Sequence, residues 1–113
     1  MYHKDLEAWK QSINLVIHIY EITSKYPKEE LYGLVSQIRR AAVSIPSNLA
    51  EGSARSSKSE TLRFIDFALG SIAELDTQII ISQRLGYLNF EDIFDEIKKV
   101  NALISGIKKY LVS

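Results

Sequence analysis

An all-α, up-and-down antiparallel four-helix bundle is the fold this sequence predicts, and three observations carry the prediction. Apolar residues recur at spacings of three and four over four stretches of roughly 20 residues each. Short breaks separate those stretches, at Pro27, at 52–56 and at Gly86. Two prolines and five glycines among 113 residues are too few for a turn-rich all-β chain. The length fits one domain over 1–113, and 46% hydrophobic with 25% charged residues is a globular balance.

The first helix is expected over 5–26, where Leu6, Trp9, Ile13, Val16 and Tyr20 form an inward stripe. Beside it lies a second stripe of Leu15, Ile19, Ile22 and Tyr26, so this helix has more apolar surface than one neighbour covers. Pro27 ends it, because the residue before a proline is pushed out of the helical region. The second helix is expected from about 29–31 to 51, with Leu34, Ile38, Ala42, Ile45 and Leu49 inward. Its apolar phase is kept across Pro46, which predicts a helix kinked there; a break is the alternative, since an interior proline costs about 3 kcal/mol.

Residues 52–56 read as a loop, and Ser57 with Glu60 fits a capping box that starts the third helix. That helix runs to Arg84 or Leu85 with Leu62, Ile65, Leu69, Ile72, Leu75 and Ile79 inward, and Gly86 supplies a left-handed terminus. Phe64, Phe67, Ala68, Ile80 and Ile81 fall outside its main stripe. Asn89 is a cap candidate for the fourth helix, with Glu91 and Asp92 at the positive end of its dipole. Ile93, Ile97, Val100, Ile104, Ile107 and Leu111 form its core face.

Composition excludes several kinds of chemistry. Without cysteine there is no disulfide framework, thiolate metal site or cysteine nucleophile. Of the two histidines, His18 has Leu15 rather than a glutamate three residues before it, so the Glu-x-x-His motif of di-iron bundles is missing. Glu21 reads as a surface partner of His18, which then lacks the orienting group of a catalytic triad. The 52–58 segment has a helix N-terminus and hydroxyls but not the Gly-Lys-Ser/Thr of a P-loop. No enzyme activity, cofactor, metal or small-molecule substrate is therefore expected. The N-terminus is not a secretory signal and no apolar run reaches the ~20 residues of a membrane span, so a soluble cytoplasmic protein without membrane association is expected.

The most informative stretch is 36–52, SQIRRAAVSIPSNLAEG. Gln37, Ser44, Asn48, Glu51 and Arg55 fall on one helical stripe with Arg40 beside it, and small residues there permit close helix approach. The third helix offers Ser71, Glu74 and Gln78. These groups predict a polar network between the second and third helices, with Arg40 and Glu74 as its charged pair. Such networks specify geometry more than they stabilise.

The same stretch, with Tyr32-Gly33-Leu34, Leu6-Glu7-Ala8-Trp9-Lys10, Ile19-Tyr20, Thr23, the 70–78 segment and Leu85-Gly86-Tyr87-Leu88, resembles a bacterial family. Its members are four-helix-bundle proteins first described from intervening sequences in large-subunit ribosomal RNA genes, often labelled S23 ribosomal protein. The resemblance implies a homo-oligomer, typically a ring of five, and no known reaction. One branch of the family, the accessory variability determinant of diversity-generating retroelements, works with a reverse transcriptase and binds nucleic acid through a basic surface.

This chain departs from that branch in charge, with 14 Lys and Arg against 14 Asp and Glu. The one basic segment, 31–63, carries Arg39, Arg40, Arg55, Lys58 and Arg63 against Glu51 and Glu60. Two functions are expected. The first is a non-enzymatic, homo-oligomeric scaffold or adaptor, favoured because the outward apolar residues exceed what a monomer tolerates. The alternative is an accessory protein of RNA, DNA or a nucleic-acid enzyme, with Arg39, Arg55, Lys58 and Arg63 on phosphates.

Overall fold

A computed structural model of the protein describes residues 2–89 and 92–113, and in it the chain forms four α-helices: α1 (Glu7–Thr23), α2 (Leu34–Ser53), α3 (Lys58–Arg84) and α4 (Asp92–Val112). Single 3-10 turns, His3–Asp5 and Lys28–Glu30, precede α1 and α2. The helices pack as a square whose sides are α1–α2, α2–α3, α3–α4 and α4–α1, and α2–α3 is the most extensive seam. Neither diagonal pair is in contact among the described residues. The bundle measures 43 × 24 × 20 Å.

The core face of α1 differs from the first stripe expected. Leu15, Ile19, Ile22 and Tyr26 are buried, and Ala8 and Ser12 continue that row toward the N-terminus. Leu6, Trp9, Ile13 and Val16 are only half-buried, and Tyr20 is exposed. Both stripes have helical period, so the choice rests on packing. Ala8 and Ser12 let a neighbour approach closely, which the larger Trp9 and Ile13 would prevent. The helix also ends earlier than expected, at Thr23, whose hydroxyl donates to the Ile19 carbonyl at 2.7 Å.

Helix α2 starts later, at Leu34, because Gly33 takes a non-helical backbone (φ −111°, ψ −108°). It continues unbroken through the buried Pro46. Proline there leaves the Ala42 carbonyl without its helical amide. Side chains around the gap bond the neighbouring carbonyls: Ser44 donates to Ala41 at 2.9 Å, Ser47 to Val43 at 2.9 Å and Asn48 to Ser44 at 2.8 Å. Ile38, Ala42, Ile45 and Leu49 are buried as the spacing predicts, and Leu34 is half-buried.

Gly52 belongs to α2 rather than to the following loop. It is buried against α3, where a Cβ would lie 3.1 Å from the Phe64 Cβ and 3.3 Å from the Thr61 carbonyl. Thr61 Oγ1 donates to the Gly52 carbonyl at 3.0 Å, closing the seam. The loop is therefore 54–57. Ser57 caps α3 by accepting from the Glu60 amide at 3.2 Å, and the Glu60 carboxylate lies 3.5 Å from Arg63.

Ile65, Ile72, Leu75 and Ile79 fill the core from α3, while Leu62 and Leu69 are half-buried. Ala68 is also fully buried and joins the core, contrary to its assignment outside the main stripe. At the end of α3, Gly86 adopts φ 82°, and Tyr87 N donates to the Ser82 carbonyl at 2.9 Å. Ile93, Ile97, Val100 and Ile104 bury the inner face of α4, with Ile107 and Leu111 half-buried at its end. Glu91, expected at its start, lies outside the described residues.

Candidate interaction surface

Helix α2 lies between two clefts of different character. On its α3 side is a polar cleft of about 590 Å3 with Tyr32, Ser36, Gln37, Arg40, Ser44 and Glu74 on its walls. Ser44 and Ser71 hydrogen-bond through their hydroxyls across the seam. Most other groups of the expected network bond to partners four residues away in their own segment. Asn48 donates to the Ser44 carbonyl, Arg55 pairs with Glu51 at 2.8 Å, and Gln78 Nε2 donates to Glu74 Oε2 at 3.2 Å. Arg40 and Glu74 share the cleft, both exposed, yet no ion pair joins them among the described residues. Gln37 is exposed beside them, while Gln78 is buried and its Oε1 makes no hydrogen bond.

The basic residues behave differently from one another. Arg39 turns toward α1: its Nε donates to Thr23 Oγ1 at 2.9 Å, and its guanidinium lies 4.5 Å from the Tyr20 ring centre. Arg55 and Arg63 flank Phe64, at 4.7 Å and 6.0 Å, and Arg63 is 5.5 Å from Phe67. Each also has a carboxylate neighbour, Glu51 and Glu60 respectively. Lys58 is exposed and forms no ion pair among the described residues.

On the α1 side of α2 runs a largely apolar groove. One part, about 680 Å3, is bounded by Tyr20, Leu31, Tyr32, Val35, Arg39, Arg40 and Val43. The other, about 320 Å3, is bounded by Trp9, Ile13, Val16, Ile17, Pro46 and Ala50. Val43 and Ser47 border both. The half-buried first stripe of α1 thus forms one wall of an open groove.

Three further contacts were not legible in the sequence. His18 Nδ1 lies 2.5 Å from Glu96 Oε2, joining α1 to α4, so the partner of His18 is Glu96 and not Glu21. Just beyond the C-terminal end of α1, the Tyr26 and Tyr87 rings pack at a tilt with centres 5.3 Å apart, and the Tyr87 hydroxyl donates to Glu30 Oε2 at 2.8 Å. That bond, with the negative charge of Glu30, pushes the Tyr87 phenol above its ordinary value. Burial pushes Tyr26 up as well, opposed in part by the nearby Ser82 hydroxyl, although the two do not form a well-aligned bond. No periodic signal links residues so far apart in the chain. Among the described residues, no three potential metal-ligating side chains converge and no helix is long and apolar enough to cross a membrane.

Residues 4–109 match a family described as 23S rRNA-intervening sequence protein. Among solved structures, the fold is similar to that of a protein of unknown function from the S23 ribosomal protein family of Bacteroides thetaiotaomicron VPI-5482. The TM-score is 0.67 at 18% identity, over 93% of this chain and 94% of that one. No curated protein matches the chain.

Proposed function

The chain belongs to the 23S rRNA-intervening sequence protein family, and we propose that it is a non-enzymatic, homo-oligomeric scaffold or adaptor. The observation that carries this reading is the outer stripe of α3. Phe67, Glu74, Ile81 and Leu85 lie at helical spacing on one side, and all four are exposed. Apolar side chains at both ends of a stripe with a carboxylate between them make a surface suited to association. Arg40, across the polar cleft, supplies the complementary charge, so that Arg40 of one copy can meet Glu74 of the next. A contact between two different patches repeats from copy to copy and closes into a ring when its rotation permits; a ring of five is the assembly the family resemblance implies.

Sedimentation equilibrium at micromolar concentration tests the reading. The expected mass is a multiple of 12.9 kDa, and a mass of 12.9 kDa overturns it. Glu74→Lys combined with Phe67→Glu is expected to return the protein to a monomer with unchanged helical circular dichroism.

The alternative, phosphate binding to RNA or DNA, draws support from Arg55, Lys58 and Arg63 grouped near the start of α3 beside Phe64 and Phe67. Arg39 contributes less to that reading, since it is engaged with α1, and Glu51 and Glu60 offset two of the other cations. A mobility shift at two salt concentrations discriminates, because phosphate-driven binding weakens steeply as salt rises.

A further inference from the structure

The groove between α1 and α2 and the outer stripe of α3 stand in register along the bundle. Helices α2 and α3 run antiparallel across the turn at 54–57, and Ser44 bonds Ser71 between them. Steps back from Ser44 and steps forward from Ser71 therefore reach equal heights. By that count Glu74 is level with Ala41, next to Arg40; Phe67 is level with Asn48, and Ile81 with Leu34. On α1, Tyr20 meets Arg39 and so shares its height. Ile13, two turns back from Tyr20, bounds the same hollow as Pro46, two turns on from Arg39.

Groove and stripe also follow the same order. At one end of the groove is the apolar hollow of Trp9, Ile13, Ile17 and Pro46. Its middle carries Arg39 and Arg40, and among the described residues no carboxylate lines it. At the other end Leu31 and Tyr32 are exposed, at 46% and 93%. The stripe reads Phe67, Glu74, Ile81: apolar, acidic, apolar, in steps of about 10 Å. Gly70, Ala73 and Thr77 are small and exposed between them, which lets the stripe lie close to a neighbour.

Rotation about an axis along the bundle moves each residue sideways and leaves its height unchanged. Neighbours in such a ring pair only residues of equal height, a condition that a helix of an unrelated protein does not have to meet. The groove and the stripe meet it at all three points, with opposite charges at the middle one. We propose that the α1–α2 groove seats the outer stripe of α3 of a second copy of this chain. Glu74 then reaches Arg39 and Arg40, Phe67 enters the hollow at Pro46, and Ile81 lies against Leu31 and Tyr32. This proposal rests on the oligomer reading above and names the receiving face, which that reading leaves open.

The chain has no cysteine, so single introduced cysteines report the contact. Ser47 is exposed between the two parts of the groove, and Gly70 is exposed on the stripe with open space where a side chain would extend. Ser47→Cys protein, mixed with Gly70→Cys protein and oxidised, is expected to give a disulfide-linked dimer. Its yield should exceed at least tenfold that of Ser47→Cys mixed with Ile81→Cys, the pair that a reversed stripe would join. The two cysteines sit on separate chains, so no bond within one chain contributes. Ile17→Glu, at a position 55% exposed and with unchanged helical circular dichroism, is expected to weaken association at least tenfold in sedimentation equilibrium. Three outcomes overturn this proposal and leave the oligomer reading standing: assembly without the Ser47–Gly70 link, linkage through Ile81→Cys in its place, or association untouched by Ile17→Glu. A mass of 12.9 kDa for the parent protein overturns both.

Discussion

Gly52 is where a single side chain decides whether two helices meet. The Phe64 Cβ and the Thr61 carbonyl leave no room for a methyl group without movement of α3. Gly52→Val is expected to destabilise the protein by about 2 kcal/mol, within the ~1–3 kcal/mol range of overpacking, with urea unfolding as the measurement. Gly52 looked like a loop residue in the sequence because glycine marks turns and close approaches alike, and only the neighbour distinguishes the two. Tyr26 and Tyr87 give a second prediction at this scale. Both phenols are held above their ordinary value, Tyr26 by burial and Tyr87 by its bond to Glu30. The folded chain therefore binds more protons than the unfolded chain once pH exceeds the ordinary tyrosine value of about 10. Their contribution is complete below that pH and is lost as pH rises through the folded values. Unfolding midpoints should fall above pH 10, and Tyr87→Phe should reduce the slope; equal slopes would contradict the role assigned to Tyr87.

The elements differ in how fully the pattern specified them. α4 has one apolar row at spacings of three and four, and that row is its buried face. α1 has two adjacent rows, and period alone cannot rank them. The distinguishing signal was present in Ala8 and Ser12, small residues in phase with Leu15, Ile19, Ile22 and Tyr26. The contact between α1 and α2 also depends on Arg39, whose bond to Thr23 and cation–π approach to Tyr20 no sequence period reveals. Arg39→Ala is expected to cost about 1 kcal/mol, the usual worth of a partly exposed hydrogen bond to a charged group with some cation–π attraction. Thermal denaturation reads this, and Thr23→Val should lose part of the same energy non-additively. Of the candidate interaction surface, the residue types were legible but their pairing was not. Gln37, Arg40 and Glu74 face one cleft, whereas Asn48 bonds within its own helix and Glu51 pairs with Arg55 in the turn that follows it. Intrahelical partners four residues away are always within reach, and a cross-helix partner has to compete with them.

For the whole molecule, the apolar pattern of four segments was enough to specify a bundle, since each helix can bury its face only against another. What the pattern left undefined was the exterior, where the outer stripe of α3 and the groove between α1 and α2 remain uncovered. The seam between α2 and α3 has a kinetic consequence. It is the largest contact in the bundle, it is formed by neighbours in sequence, and a four-residue turn at 54–57, capped by Ser57, closes it. Contacts local in sequence lose little chain entropy when they form, so they tend to form early. The α2–α3 hairpin is thus the natural nucleus, with α1 and α4 adding afterwards to its two sides. Substitutions at Ile65 and Ala42 should slow refolding, while those at Ile97 and Ile19 should chiefly speed unfolding. A chain emerging N-terminus first would then hold α1 unpartnered until α3 has followed it.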